Sequence, residues 1–318
     1  MLTYDEFKES FCVKFPEVMG KKFTGYEIKC MPVKKRGKTL DGFTFCPKSE
    51  GDRVRAMPTY YFNDLYRSYC ENGDVSLCAE EIARSMKCAL RKGNTLTDSI
   101  DLKSIKRNVI AELVNPEVAE SYIGNVPHRD FLNLSVIYRW VVSIDEEGVY
   151  SGIIDNELMG YVKLSEETLY KNAIKNTARI LVPKLESFDS VVRRILVREG
   201  RNDDEIEGLL DGFDSDDRIW VITNDQNFRA STAMIYNEFL EDIAEEFDSD
   251  FYIVPTSVNE SLVISANSCI PPENLLNMLH ESNSVFLEDD DQVLSDTVYY
   301  FDRDSSELAV LEVGEVSV

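Results

Sequence analysis

An α+β fold, with antiparallel or mixed sheets made of β-hairpins and packed amphipathic helices, is what this sequence predicts. Three observations carry the prediction. Residues 218–265 read as strand, turn, helix and two more strands; alternating apolar runs flank turn signals at Gly37 and Gly148; and charge divides the chain. Residues 1–110 hold 20 Lys+Arg against 15 Asp+Glu, which leaves 14 against 43 for residues 111–318. That asymmetry predicts two subdomains with different surfaces. The first is an N-terminal α/β region, 1–110, with a basic hairpin. The second is an acidic α+β domain, 111–318, containing the 218–265 block.

Taken in order, Thr3 and Glu6 have the spacing of a capping box before a first helix that Pro16 ends or bends. Tyr26–Val33 and Thr39–Cys46 alternate around Lys34-Lys35-Arg36-Gly37-Lys38, a hairpin whose Gly37 supplies the positive φ. Its four cations could touch phosphate, but exposed tips are usually charged merely to stay wet, which is the favoured reading. A Tyr-rich helix follows Pro58, from Thr59 to Glu71, and stops at Asn72-Gly73. Asp74 caps the next, Val75–Lys92, with Leu77, Ile82, Met86, Ala89 and Leu90 inward and Gly93-Asn94 as the stop. Asp101–Lys106 is a short helix leading into the strand Asn108–Val114. Leu132–Ser143 and Val149–Ile154 form a second hairpin. Ser165 caps a helix over Glu166–Ala178, Pro183 breaks it, and Phe188–Glu199 is another amphipathic helix. Pro271-Pro272 opens a helix over Glu273–Ser282, and a terminal hairpin flanks the DRDSS turn.

The 218–265 block has the clearest pattern. Arg218–Thr223 is short, apolar and β-branched, as a buried strand requires. Asn224 and Asp225 suit a turn or a helix cap. From Phe228 to Phe247 one long helix is expected: Tyr236, Phe239, Leu240, Ile243, Ala244 and Phe247 share a face, and Glu238, Glu241, Asp242, Glu245 and Glu246 fall mostly opposite. Phe251–Val254 and Leu262–Ile264 complete the block as strands.

Composition narrows the function. A chain of 318 residues with 43% apolar content and net charge −24 can bury a real core. Charges interrupt every run that could span a bilayer, and the start, MLTYDEFKES, lacks the basic flank of a secretion signal. A cytoplasmic protein without membrane contact is expected. The acidic half should repel nucleic acid, so direct binding to it is disfavoured. Seven scattered cysteines with no CxxC argue against zinc and against a disulfide framework, and are read as buried reduced thiols. No metal and no cofactor is expected. The carboxylates at Asp211, Asp214, Asp216 and Asp217 lack the order of a calcium-binding EF-hand loop.

Catalytic constellations are scarce. His280 lies late on a helix, where a cation is favoured for structural reasons. His128 precedes a strand and, with Arg129, is a candidate anion-binding pair; a loop histidine bonded to backbone is the competing reading. Asn224 and Asp225 stand at a strand end, where sheets often place ligands. No GxSxG, HExxH, P-loop or GxGxxG occurs in the right context.

The segments VPHRDFLNLSVIYRW, VITNDQNFRASTAMIYNEFLEDIAEEFDSDFYIVPTSVNESLVI and VLSDTVYYFDR, with YDEFKE and LDGFTF near the start, resemble a domain-of-unknown-function family of cytosolic proteins. Its members come from anaerobic Gram-positive gut bacteria and are often encoded on mobile elements. The turn–helix–strand block alone is also similar to the YtpQ-like family. The first family commonly carries His then Glu after the PTS strand, whereas this chain has Asn259 and Glu260. The resemblance therefore implies no histidine ligand or base there, and Asn259 and Glu260 stand as candidate ligand-binding residues. It implies no reaction.

Two classes of function follow, with a third beside them. Poor catalytic equipment and abundant acid favour a non-enzymatic interaction or regulatory protein, whose partner is a protein with a basic surface. Asp203, Asp204, Glu205 and Glu207 are its candidate contact residues. The alternative is a hydrolase or nucleotide-handling enzyme using the polar residues above; a nucleic-acid mimic is the third. The packing assignment is testable directly. Ile243→Asp should bury an unpaired charge and lower the melting temperature as the worst core substitutions do; an unchanged melting temperature would remove Ile243 from the core.

Overall fold

The computed structural model describes residues 1–35, 38–48, 59–97, 102–120, 122–145, 148–198, 200–210, 219–285 and 292–311. The Gly37 tip, the 211–217 carboxylates and the acidic run at 288–291 lie outside them. Aromatic packing organises the first part. Helix α1 (Tyr4–Met19) places Phe7, Phe11, Phe15 and Met19 on one stripe at four-residue spacing, all buried. The expected capping box is present: Thr3 Oγ1 accepts from the Glu6 N–H at 3.4 Å, and the Glu6 carboxylate accepts from the Thr3 N–H at 2.8 Å. The stripe packs on the hairpin of β1 (Tyr26–Lys35) and β2 (Lys38–Pro47). Phe43 and Phe45 of β2 alternate toward α1, and edge-to-face contacts join Phe11 to Phe43 and Phe15 to Phe45. β3 (Tyr60–Tyr61), α2 (Phe62–Asn72) and α3 (Val75–Thr97) complete this cluster.

Several expectations here need correction. Pro16 does not end helix α1, which runs on to Met19 with the ring on its exposed face. The Tyr-rich helix begins at Phe62, after Tyr60–Tyr61 pair with β2. Gly73 does close it, at φ 72°. The α3 backbone continues past Gly93 to Thr97, so that glycine is tolerated inside the helix. Leu77 is 50% exposed, whereas Met86 is buried as expected; beside it the buried stripe takes Cys78, Ala79 and Ala83, small residues that admit close approach of α1, and the side chains of Ala89 and Leu90 lie outside those described. Burial of the thiols also fails as a rule. Cys78 is buried, Cys12 and Cys46 are half-buried, and Cys30, Cys70 and Cys269 are exposed.

The rest is built on two sheets. α4 (Leu102–Asn108) leads into β4 (Val109–Val114), followed by β5 (Arg129–Phe131), β6 (Leu134–Asp145), β7 (Gly148–Ile153), α5 (Asn156–Val162) and α6 (Glu166–Ile180). β4 pairs with one edge of β6, and β5 and β7 share the other, at its two ends. Next come β8 (Lys184–Ser187), α7 (Phe188–Arg198), α8 (Asp203–Leu210), β9 (Ile219–Thr223), a 3₁₀ run over Ala230–Ile235, and α9 (Asn237–Phe247). β10 (Phe251–Val254), β11 (Ser261–Ser265), α10 (Pro272–Val285), β12 (Tyr299–Asp302) and β13 (Glu307–Val310) end the chain order. The six-stranded sheet runs β13-β12-β10-β11-β9-β8 with every pairing antiparallel. One face puts Phe251, Ile253, Val263 and Phe301 into a core shared with β4, β6, α6 and α9. The other packs Val254 and Ile264 on Leu275 and Leu279 of α10.

Strand β4 is an edge strand with all six residues buried, so its outward N–H groups need partners other than water. Thr177 of α6 accepts from the Ala111 N–H at 2.8 Å, and Thr232 accepts from the Leu113 N–H at 3.2 Å. Asn176 donates to the Lys106 and Val109 carbonyls. This demand explains the main departure in the 218–265 block. The single helix expected over Phe228–Phe247 is a 3₁₀ run and then α9, which starts only at Asn237. Ser231 and Thr232 spend their hydroxyls outside the run, Ser231 on the Ser257 carbonyl at 2.7 Å, and Arg229 before them is left-handed at φ 50°.

Thr232→Val keeps the shape and removes the acceptor for a buried N–H. It should cost about 1–3 kcal/mol in denaturant unfolding, and an unchanged midpoint would mean water reaches that edge.

Candidate functional site

The antiparallel register brings two loops to one end of the six-stranded sheet. Ser261 stands opposite Ile222 and Lys184 opposite Thr223, so the exit of β9, the β10–β11 turn and the start of β8 are neighbours. Four residues singled out from sequence therefore share this end: Asn224, Asp225, Asn259 and Glu260.

Each has a definable role in the local structure. Asn224 is buried, and its Oδ1 accepts from the N–H groups of Gln226 at 3.1 Å and Phe228 at 3.2 Å while Nδ2 donates to the Phe228 carbonyl at 2.9 Å. That side chain shapes the loop, in which Asn227 takes φ 46° and Arg229 φ 50°. Asn259 ties the two loops together: Oδ1 accepts from the Arg229 N–H at 3.0 Å, and Nδ2 donates to Gln292 Oε1 at 2.9 Å. Asp225 is exposed and ion-paired with Lys184. Glu260 differs from the others. Its carboxyl is half-buried and, among the described residues, has no hydrogen-bond or ion-pair partner. Burial pushes its pKa up from the ordinary 4.5, and the field of Arg194 offsets only part of this. Arg194 is itself paired with Glu186 of β8.

His128 and Arg129 belong to β5 and the loop before it, on the other sheet. His128 is exposed, with Nδ1 3.0 Å from the Val126 carbonyl. Arg129 is fully engaged. Nε and Nη2 donate to the two oxygens of Glu166, both at 2.7 Å, Nη2 also donates to Glu167 at 2.6 Å, and the guanidinium lies 3.7 Å over the Tyr170 ring. Hydrogen bonding to Glu166 holds the Arg129 pKa above its ordinary value, and the same bond holds Glu166 below its own. Tyr138 donates to Glu166 as well. This bidentate, stacked cation fastens β5 to α6.

One constellation was missed from sequence. Glu112 on β4, its side chain 3% exposed, has Oε1 3.0 Å from Arg229 Nε and Oε2 3.3 Å from Arg139 Nη1 of β6. Arg139 Nε also donates to Ser151 Oγ at 3.1 Å. A carboxylate this buried costs several kcal/mol unless paired. Two guanidiniums answer its charge as ion pairs, although Glu112 Oε2 and Arg229 Nε are buried without a hydrogen-bond partner, and the three groups leave one net positive charge between the four-stranded sheet and the loop after β9. The signal was present: Glu112 and Arg139 each interrupt an apolar strand, VIAELV and LSVIYRWVV, and charges in such strands require each other.

Among the described residues no group of three His, Cys, Asp or Glu side chains could hold a metal ion, and no helix is long and apolar enough to cross a membrane. A family model described as a family of unknown function (DUF5688) matches residues 4–303, nearly the whole chain, and the chain belongs to that family. No curated protein and no solved structure matches it.

The Glu260 geometry predicts a pH dependence. A carboxyl whose folded pKa is raised contributes stability that is complete below its unfolded value and lost as pH rises through the folded one. Glu260→Gln stays neutral throughout. It should match the parent near pH 4 and unfold at higher denaturant near pH 8, as roughly the cost of ionising a half-buried carboxyl is removed; equal midpoints across that range would place Glu260 in contact with water.

Proposed function

We propose that this member of the family is a non-enzymatic interaction or regulatory protein of the bacterial cytoplasm, which binds a basic protein surface through its acidic part. One observation carries the reading: the outer face of α9. Glu238, Asp242, Glu245 and Glu246 are exposed along it, Asp248 follows at its end, and Leu240, Ile243 and Ala244 anchor the opposite face. Folding sets the inner face of such a helix and leaves the outer one free. Arg229 nearby is committed to Glu112, and Arg303 pairs with Asp248, so Glu238, Asp242, Glu245 and Glu246 are the open acid of this face. The polar side chains at the sheet end support the same reading, since Asn224 and Asn259 spend their amides holding loops.

Of the four acidic residues singled out near α8, Glu205 and Glu207 are exposed, and the side chains of Asp203 and Asp204 lie outside those described. Glu205 also caps α8: its N–H donates to Asn202 Oδ1 at 3.0 Å, and Oε2 accepts from the Asn202 N–H at 3.3 Å. A second reading, ligand handling by an enzyme, is favoured by the Glu260 carboxyl, which has no partner among the described residues. A raised carboxyl in a loop cluster is a common feature of catalytic acids.

Cross-linking in the native host identifies a partner, and recapture of that partner by the purified chain tests the acidic face. Binding should weaken steeply with salt, because exposed charges are screened within about 8–10 Å near physiological ionic strength. Replacing Glu238, Asp242, Glu245 and Glu246 with their amides should weaken capture roughly tenfold with folding intact. The set Asp203→Asn, Asp204→Asn, Glu205→Gln, Glu207→Gln tests the second patch and retains a capping glutamine. Capture that survives both variants and high salt overturns the reading. Turnover of a phosphate or ester substrate that is lost in Glu260→Gln would establish the enzyme instead.

A further inference from the structure

The seam between α1 and β1 joins two cysteines that are far apart in the sequence. Phe11 of α1 meets Phe43 of β2 edge to face, with ring centroids 5.4 Å apart. In the hairpin register Phe43 stands opposite Cys30, so the two side chains project from the same face of the sheet. Cys30 thus points toward α1, in the alternation of Tyr26 and Ile28, which pack on the same aromatic cluster. Cys12 follows Phe11 on α1 and is packed against that cluster too. Backbones of the two elements approach within 8 Å, Cα to Cα. We propose that Cys12 and Cys30 form a reversible dithiol–disulfide pair, oxidised by low-molecular-weight disulfides, which staples α1 to the β1–β2 hairpin.

The two sulfurs are suited to different halves of the reaction. Cys30 is exposed, whereas Cys12 is half-buried. Burial first, and then the neighbouring Cys30 thiol, pushes the Cys12 thiol up to about 11, with the cation of Lys8 acting the other way. Cys30 is therefore the attacking sulfur, because the thiolate is the nucleophile and access governs the rate. Its thiolate attacks one sulfur of R–S–S–R, expels RS⁻ and forms a Cys30–S–S–R mixed disulfide. Cys12 then loses its proton to solvent, attacks the Cys30 sulfur and expels the second RS⁻. Two electrons pass from the protein thiols to the small disulfide, and the two protons the cysteines shed are taken up through water by the two departing RS⁻, which leave as thiols. The reverse exchange with excess thiol opens the bond.

A cross-link here closes a loop within the most aromatic part of the chain, so the folded state should be stabilised by restriction of the unfolded one. This departs from the expectation of inert, buried thiols, and the reason is local. Cys30 lies on the side of the hairpin facing α1 but at the margin of the core, where solvent reaches it.

The test uses the full chain incubated with oxidised glutathione. Non-reducing peptide mapping should return a Cys12–Cys30 linkage two hydrogens lighter than the two free thiols and with no glutathione on either, whereas the exposed Cys70 and Cys269 can carry adducts. The melting temperature should rise by several degrees and return to its starting value with excess dithiothreitol. Cys12→Ser should stop at a stable Cys30–glutathione adduct; Cys30→Ser, a change at an exposed position, should abolish both products. Cys269→Ser should behave as the parent. The proposal is overturned if Cys30 in the parent retains glutathione, if the linkage joins other cysteines, or if it forms only in denaturant.

Discussion

The buried edge of β4 is the constraint on which the larger part of this protein depends. A strand whose six side chains are all inside cannot leave its outward amides to solvent, and among the described residues no second strand covers them. Thr177 and Thr232 terminate that edge instead, one from α6 and one from the 3₁₀ run that leaves the six-stranded sheet. Those two hydroxyls bind both neighbours of the four-stranded sheet to the same strand. An edge capped in this way also has no free ladder to offer another chain.

The same strand fixes the electrostatics. Glu112 places a carboxylate in the interior and so requires cations on both sides of it, Arg139 from its own sheet and Arg229 from the opposing loop. Arg229 reaches that position from a left-handed backbone held by the Asn259 amide. The loop after β9, the β10–β11 turn and β4 thus form one connected polar unit. Exposed acid elsewhere, above all on α9, is free of such duties, which is why it is the better candidate for contact with another molecule.

Local chemistry was legible where a short stretch contains its own solution. The capping boxes and caps at Thr3 and Ser165, the left-handed glycine at Gly73 and the two hairpins follow from neighbours within a few residues. Four of the six ligand candidates could be assigned to one sheet end only after the strand order was known, and Arg129 could not be recognised as a fully engaged cation before α6 was placed beside it. Glu112 was the readable sign that went unused.

By itself the sequence determined the α+β class, the period and caps of most elements, and the unequal division of charge, because these depend on spacing and composition. The tertiary structure alone decided that the segment after Asn224 is a 3₁₀ run before it is a helix, that α1 continues past Pro16, and that Cys30 faces Cys12. Two of those outcomes turn on a partner distant in the chain, a buried amide on β4 and a phenylalanine across the hairpin, and the third on which side of α1 meets solvent. Periodicity records which face of an element is apolar. It does not record which buried donor on another element that face must satisfy, and at Thr232 that demand outweighed the preference for helix.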